Sequence, residues 1–273
     1  MVIELKFVMH KLPARIFALL LMAIAVAVLP AAARDALVPH SLEPETLNYK
    51  VMFKWGLINK QAGTAKIVLS HDSKQYHASL MASSEPWADK IFCVRDTLRA
   101  RMSYADFTPL YYEKAAHEGS ERKHDVVRYD YGTPGKVKAV CTRKAWKKGE
   151  LKIDERREME SSGTAVDMLA SFYYMRALPF ENWKKGQHTA LDIFSGKRKE
   201  LLTIKYDGIE SIDIDGTAVE AYHITFTFTS KGGKKTSDDM DAWIAADESR
   251  TPLRLEGKLP VGKVHCIFTG KSR

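Results

Sequence analysis

Apolar and polar residues alternate along most of this chain with a period of two. Between positions 49 and 57 every odd residue is apolar, and two of the residues between them are lysines. A strand with one buried and one solvated face has this period, because successive side chains point to opposite faces. The same alternation recurs in residues 94–102, 137–141 and 219–229. The chain is therefore predicted to be rich in half-buried strands.

Turn residues divide the alternating segments at short intervals. Asp207-Gly208 and Asp215-Gly216 are typical of two-residue hairpin turns, since both positions of such a turn need a positive φ. Further strands are predicted at residues 62–70, 74–83, 108–117, 124–131, 189–195, 199–206, 240–246, 251–258 and 262–269. Strands at this spacing predict an all-β fold, which can be a meander, a sandwich or a barrel.

Residues 164–178 break this period and repeat their apolar side chains at helical spacing. Thr164 can cap such a helix, and Pro179 would end it. A single amphipathic helix in a β-rich protein must bury its apolar stripe. We therefore expect one main helix that packs against the sheet or plugs the barrel. The predicted core includes Val51, Phe53, Trp55, Leu98, Leu169, Phe172, Ile224 and Phe226.

The N-terminal 33 residues have the order of a Sec-type export signal. Three basic residues precede an apolar run at 16–29, and a group of three alanines follows it. The run is shorter than the ~18–20 apolar residues that a membrane-spanning helix needs. We predict a signal peptide over residues 1–33, cleavage between Ala33 and Arg34, and a periplasmic location.

The rest of the chain, residues 34–273, is predicted to form one β-rich domain, whether translation starts at Met1 or at Met9. Lysine and arginine total 42 against 34 acidic residues. This moderate surplus fits contact with anionic lipid or glycan at the envelope, although solubility alone also explains it. Export argues against nucleic acid as a partner. The basic stretch 136–157 is interpreted as a solvated hairpin, because acidic residues dilute its charge.

Familiar catalytic and metal-binding motifs are absent from the sequence. It lacks the G-x-S-x-G, H-E-x-x-H, Walker and G-x-G-x-x-G patterns, and its nine histidines are scattered. Asp213 and Asp215 resemble the opening of a calcium loop, but Ile224 occupies the position of the essential glutamate. We therefore predict no cofactor, no metal site and no catalytic residue.

The three cysteines, Cys93, Cys141 and Cys266, lie among apolar residues. No two of them have the C-x-x-C spacing of a zinc or redox site. Export permits one disulfide with one cysteine left over. Buried free thiols are the alternative, and the apolar surroundings favour it. The sequence leaves both alternatives open.

Three stretches together resemble an exported bacterial family known as domain of unknown function 3108. Residues 49–65 contain YKV, WGLI and AGTA, residues 167–176 read DMLASFYYMR, and residues 242–262 contain AWIAAD, TPLRL and VG. The resemblance implies an exported, strand-rich curved sheet or open barrel, with no agreed activity and no catalytic residues to transfer. Cys141 and the long basic stretch depart from the family's pattern.

Arg176 closes the second of these stretches, at the end of the predicted helix. A partly buried arginine needs a carboxylate partner. Asp167 and Arg176 are more than four residues apart in the predicted helix, so they cannot form an ion pair across one helical turn. We therefore expect the partner to come from the sheet.

Inward aromatic residues motivate the functional hypothesis. Rings with polar tips on a concave sheet favour a ligand cavity of roughly 300–1,000 Å³ between the helix and the sheet. The predicted ligand-binding residues are Tyr49, Trp55, Phe172, Tyr173 and Tyr222. The protein is expected to be a non-enzymatic envelope binding protein for an apolar or amphipathic ligand such as a lipid. The alternatives are a structural or interaction module without a ligand, and a hydrolase of envelope polymers that uses carboxylates.

Overall fold

The computed structural model describes residues 42–230, 239–259 and 261–272. The predicted signal peptide and its cleavage point between Ala33 and Arg34 lie outside the described residues. The strands are β1 (Glu45–Trp55), β2 (Ile58–His71), β3 (Gln75–Ser84), β4 (Val94–Ser103), β5 (Pro109–Glu118), β6 (Glu121–Asp130), β7 (Val137–Lys147), β8 (Glu150–Ser161), β9 (Ala165–Val166), β10 (His188–Phe194), β11 (Lys199–Ile214), β12 (Thr217–Ser230), β13 (Met240–Ala245), β14 (Pro252–Lys258) and β15 (Lys263–Ser272). The helices are α1 (Pro86–Asp89), α2 (Ala170–Arg176) and a 3-10 turn (Phe180–Asn182).

The fifteen described strands form one sheet, in the order β8 back to β1 and then β15 back to β9. Strands that follow one another within each half pair antiparallel, and β1 pairs with β15 to join the halves. The exception is β9, which lies parallel to β10. The sheet curves into a nearly closed barrel. The predicted β-dominated fold is therefore confirmed.

The two ends of the sheet, β8 and β9, meet along a seam without pairing to each other in the described residues. Side chains bridge the seam instead. A guanidinium N–H of Arg157 donates to the carbonyl oxygen of Lys197 at 3.2 Å, and Nζ of Lys199 donates to that of Glu160 at 3.1 Å. The β10–β11 hairpin is thereby held against β8.

The helix α2 lies inside the barrel and fills it. Leu169, Ala170 and Tyr173 are at most 2% exposed. They share one core cluster with residues from both halves of the sheet, among them Tyr112 of β5 and Phe226 of β12. Burial of this kind is what holds a short helix in place, because an isolated helix of this length is unstable in water. The prediction that a helix plugs the barrel is confirmed.

The helix is shorter than the predicted span of 164–178. Ala165–Val166 form the strand β9. The carboxylate of Asp167 accepts the backbone N–H groups of Leu169 at 3.0 Å and Ala170 at 2.8 Å through Oδ1. This local bonding satisfies N–H groups that have no partner inside the helix, so it fixes where the helix begins.

The predicted hairpin turn at Asp207-Gly208 is wrong, because both residues lie inside β11. The pairing of β11 with β12 shifts its register between Tyr206 and Gly208, and Gly208 has a φ of +118°. The dipeptide is therefore a β-bulge, which bends the strand that contains it. A bulge and a turn share the requirement for glycine, so local sequence alone does not separate them.

The second predicted turn is confirmed at the tip of the same hairpin. Asp215 and Gly216 have φ values of +51° and +85° and join β11 directly to β12. This tip reaches the outer face of β1, where Nζ of Lys50 lies 2.6 Å from Oδ1 of Asp215. The hairpin thus folds back over the sheet to which it belongs.

Most of the predicted core is confirmed. The buried members are Val51, Phe53, Leu169, Ile224 and Phe226. Leu98 and Phe172 are partly buried and pack against the same cluster. Trp55 is only half-buried, at the last position of β1, so its prediction as a core residue is wrong.

All three cysteines are free, as in the second alternative. Burial raises the pKa of the thiols of Cys141 and Cys266 to about 12. Because the thiolate is the reactive form, these two thiols are chemically quiet at neutral pH. Cys93 is half-buried at the start of β4.

The basic stretch 136–157 forms the hairpin of β7 and β8. β8 is exposed along most of its length, and Lys144 pairs with Asp154 across the two strands at 3.2 Å. The interpretation as a solvated hairpin is confirmed for these residues. Arg143 is the exception among the basic residues of this stretch, because its side chain is buried and pairs with Asp125 at 3.1 Å.

Candidate functional site

Four of the five predicted ligand residues lie around two buried arginines near the end of α2. Cζ of Arg176 lies 5.8 Å from the ring centroid of Phe172 and 5.7 Å from that of Tyr173. Cζ of Arg250 lies 4.7 Å from the ring centroid of Tyr222. Aromatic ring faces attract positive charge. In this protein the two arginine side chains lie against these rings, where a cationic ligand could otherwise bind.

Tyr49 belongs to the same group, and Trp55 does not. The hydroxyl of Tyr49 donates to the carbonyl oxygen of Pro252 at 2.9 Å, and its ring meets Phe268 edge-on at 5.8 Å. Burial raises the pKa of Tyr49 well above its ordinary value, and the charge of Arg176 opposes that rise. Tyr49 is thus bonded within the protein, whereas Trp55 lies apart at the end of β1.

Arg176 is fully paired although it is buried. Its Nε donates to the carbonyl oxygen of Arg250 at 2.9 Å, one terminal N–H donates to that of Ser249 at 2.9 Å, and the other pairs with the carboxylate of Glu45. Glu45 lies on β1, so the predicted carboxylate from the sheet is confirmed. This arrangement ties the end of α2 to the first strand and to the β13–β14 loop.

The buried side of α2 has no space of water size beside it at three positions. A side chain beside such a space keeps accessible surface, whereas Leu169, Tyr173 and Phe226 are at most 1% exposed. The predicted ligand cavity between the helix and the sheet is therefore absent around these three side chains.

A ligand-sized depression lies instead on the outside of the barrel, and we call it the outer cleft. It has a volume of about 490 Å³ and crosses the neighbouring strands β15, β1, β2 and β3. Its lining residues are Asn48, Tyr49, Lys50, Gln61, Thr64, Ala65, Lys66, Met81, Ser83 and Thr269. Most of them have polar side chains on the solvated face of their strands, so the cleft is open to water and presents both polar and apolar surface.

Irregular pairing of β1 accounts for the concave shape. β1 shifts register against β15 between Asn48 and Tyr49, and against β2 between Val51 and Met52. Two bulges so close together bend a strand sharply. Strands β2 and β3 also approach each other closely. A Cβ atom on Gly63 of β2 would lie 2.5 Å from the carbonyl oxygen of Ser83 of β3, so only glycine fits at this position.

Three side chains of the outer cleft are held by partners at its rim. Lys50 pairs with Asp215 of the hairpin tip at 2.6 Å. Nε2 of Gln61 donates to a carboxylate oxygen of Glu85 at 3.0 Å. Nδ2 of Asn48 donates to Oγ of Ser272 at 3.1 Å. Held side chains lose less entropy when they bind a ligand, so the rim is partly preorganised.

The remaining polar groups of the outer cleft are open to solvent. Thr64, Ser83 and Thr269 are exposed, as is Lys66. Hydroxyls donate and accept hydrogen bonds, whereas ammonium groups donate only. The cleft can therefore bind a ligand that is rich in hydroxyl and other oxygen atoms.

The sequence pattern located the strands of the outer cleft but not the cleft itself. Lys50 was predicted to lie on the solvated face of its strand, and it does; Thr64 and Lys66 lie in the strand predicted at 62–70 and are exposed. The curvature depends on bulges and on a contact with residue 215, more than 160 positions away from Lys50. Gly63, in the AGTA motif, was the one local signal of an unusual backbone approach.

Ionisable side chains also line part of the barrel interior. They come from β4, β5, β6 and β7 and are Asp96, Lys114, Glu118, Lys123, Asp125 and Arg143. Nζ of Lys114 lies 3.1 Å from Glu118 and 3.4 Å from Asp96. Burial raises the pKa of Asp96 to about 6. Three acids and three bases balance here, so the group forms an internal ion-pair network.

Asp167 is the buried carboxyl that is least well compensated. It is fully buried, and its Oδ2 has no hydrogen-bond partner among the described residues. Burial raises its pKa to about 7, against the lowering effect of the N–H groups of Leu169 and Ala170. Burial raises the pKa values of Tyr112 and Tyr129, and the charge of Asp167 adds to the rise; in return, hydrogen bonding from Tyr129 lowers the pKa of Asp167.

The described residues contain no group of three or more His, Cys, Asp or Glu placed to bind a metal ion. Among the helices in these same ranges, none is long and apolar enough to cross a membrane.

Comparison with known proteins gives a family and a fold. The family model described as "Protein of unknown function (DUF3108)" matches residues 48–268. The chain is similar in fold to the crystal structure of a β-barrel-like protein of domain of unknown function DUF1849 from Brucella abortus, with a TM-score of 0.58 and 6% identity. That alignment covers 85% of this chain and 98% of the other. Comparison with curated proteins gives no match.

Proposed function

The chain belongs to the DUF3108 family of unknown function, and from this premise we propose that it is an exported, non-enzymatic binding module of the bacterial envelope. Its binding surface is the outer cleft, and its ligand is polar and rich in hydroxyl groups, as a saccharide is. The observation that supports this proposal is the outer cleft itself, which has the size of a small-molecule site, while the space beside α2 is filled.

The lining chemistry favours a saccharide over a lipid chain. Apolar ligands need a pocket of hydrophobic and aromatic side chains. The outer cleft offers two amides, two ammonium groups and several hydroxyls, and its large apolar groups are Met81 and the ring of Tyr49. A sugar ring satisfies such donors and acceptors and still has an apolar face for the methionine.

A structural module without a ligand is the second candidate. The observation that favours it is the filled interior, in which Arg176 and Glu45 tie the helix to the sheet. In that case the outer cleft would be an incidental result of the bulges in β1.

Export is part of the proposal and is supported by the order of residues 1–33. We expect N-terminal sequencing of the protein from the periplasmic fraction to start at Arg34. An intact Met1 or Met9 in that fraction would contradict a cleaved signal.

A bulky residue in the outer cleft tests the binding proposal. Thr64 is exposed at the centre of the cleft, so Thr64→Trp should fill it without disturbing the core. We expect isothermal titration with short oligosaccharides to show a loss of affinity of about tenfold or more, because the ligand and the indole compete for the same space.

The matched control is Thr227→Trp. Thr227 lies on β12, which is not among the strands that form the outer cleft. This variant should bind like the wild type, and both variants should keep the wild-type melting temperature. Equal binding by Thr64→Trp and the wild type would place the ligand elsewhere, and no binding by the wild type would favour the structural module.

A further inference from the structure

We propose that the ligand of the outer cleft is an acidic saccharide, and that Asp215 is a built-in counterion which the acid group of the ligand displaces from Lys50. The inference rests on the proposed function, since it assigns the ligand class and a regulating contact to the same cleft.

Two lysines set the charge of the outer cleft. In the pairing of β1 with β2, Lys50 lies opposite Thr64, and Lys66 lies opposite Asn48. Lys50 and Lys66 are therefore diagonal neighbours on the outer face, at a separation of roughly 7–8 Å, which long side chains can span. No acidic residue is among the lining residues of the cleft. Two ammonium groups on one polar surface favour an anionic ligand.

Asp215 is an acidic residue that contacts a lysine of the outer cleft without being one of the lining residues. It comes from the β11–β12 tip and contacts Nζ of Lys50 at 2.6 Å, while its own side chain is 58% exposed. Exposed ion pairs of this type are worth little, because water competes for both partners. An incoming carboxylate can therefore replace Asp215 at low cost. Lys66 has no ion-pair partner among the described residues and can receive the ligand first.

The neutral part of the lining selects a sugar ring over a bare anion. Gln61, Thr64, Ser83 and Thr269 surround the lysines with hydrogen-bonding groups. A free phosphate is far smaller than a cleft of about 490 Å³ and would leave most of these groups in water. A uronic-acid chain brings ring hydroxyls and carboxylates together, so it matches both features of the surface.

The test compares three probes on the full mature protein by isothermal titration: tetragalacturonate, maltotetraose and inorganic phosphate. Maltotetraose is the neutral match for the acidic tetrasaccharide. The variants are Lys66→Met, which removes one charge, and Asp215→Asn, which removes the internal competitor. Asp213→Asn is the control, because Asp213 lies in the same hairpin but bonds to Gly216. Melting temperatures establish that all variants are folded.

We expect tetragalacturonate to bind most tightly, and Lys66→Met to weaken it by about tenfold, as for a lost charged hydrogen bond. Asp215→Asn should tighten it by roughly two- to fivefold, which matches the low value of an exposed ion pair. Asp213→Asn should leave the binding of both saccharides unchanged, and Asp215→Asn should leave that of maltotetraose unchanged.

The opposing outcomes separate the two proposals. Equal affinity for both tetrasaccharides, or unchanged or weaker binding by Asp215→Asn, overturns the acidic-ligand inference while the cleft still binds saccharide. Phosphate binding as tight as that of tetragalacturonate would mean that the lysines bind a simple anion, and it also overturns the inference. No binding of either saccharide overturns the inference and the proposed function together.

Discussion

Replacement of Arg176 by methionine should lower the free energy of unfolding by about 3–5 kcal/mol, the usual loss when one partner of a buried ion pair is removed. Methionine keeps much of the apolar contact with Phe172 and Tyr173. It leaves the carboxylate of Glu45 without its buried partner, and the carbonyl oxygens of Ser249 and Arg250 without a donor. Urea unfolding measures the loss directly.

Two further variants make this result specific. Glu45→Gln combined with Arg176→Met should regain at least about 1 kcal/mol over Arg176→Met alone, because the remaining partner of Glu45, Lys271, is half exposed and compensates little for a buried carboxylate. Arg95→Met removes an exposed pair with Asp89 and should cost less than about 1 kcal/mol. If Arg176→Met cost no more than Arg95→Met, the tether between helix and sheet would have no energetic role.

Asp167→Asn should change how stability depends on pH. The folded-state pKa of Asp167 is raised to about 7 from an ordinary value of 3.8, so the folded protein holds this proton more tightly than the unfolded chain. Stability therefore falls as pH rises from about 4 to about 7, and the effect is constant above that. Between pH 5 and pH 8 the loss due to this group is about 3 kcal/mol, at 1.36 kcal/mol per pKa unit.

Asparagine cannot ionise, and its side-chain oxygen can still accept the N–H groups of Leu169 and Ala170. The variant should therefore lose less stability than the wild type between pH 5 and pH 8. Asp89→Asn is the control, because bonds to Arg95 and Ser84 hold the pKa of Asp89 below its ordinary value, outside this range. An identical pH profile for wild type and Asp167→Asn would contradict the raised pKa.

Periodicity predicted most of the strands and the main helix, because half-buried strands and a buried helix each leave a clear repeat in the sequence. It missed β8, which is exposed along most of its length, and the two-residue strand β9. It failed where a polar residue bonds locally or faces inward. Asp167 moved the start of the helix, and Gly208 formed a bulge where a turn was predicted. The inward ion pair of Asp125 and Arg143 breaks the alternation that marks a core strand.

The predicted ligand residues show a related limit of local sequence patterns. Aromatic residues with polar tips indicate either a ligand site or a core in which the tips find partners within the protein. Here the hydroxyl of Tyr49 donates to Pro252 and the ring face of Tyr222 contacts Arg250, whereas the hydroxyl of Tyr173 has no hydrogen-bond partner among the described residues. Those partners are distant in sequence, so the residues alone did not distinguish the two cases. The concavity of the outer cleft likewise depends on pairings that no local pattern records.

Methyl NMR on methionine-labelled protein tests most directly whether the ligand binds outside the barrel. Met81 lines the outer cleft, whereas Met175 is buried in α2. We predict that tetragalacturonate shifts the methyl signal of Met81 in a saturable manner and leaves that of Met175 unchanged. A saturable shift of Met175 without one of Met81, produced by the saccharide or by a lysophospholipid, would contradict the account and place the ligand between the helix and the sheet.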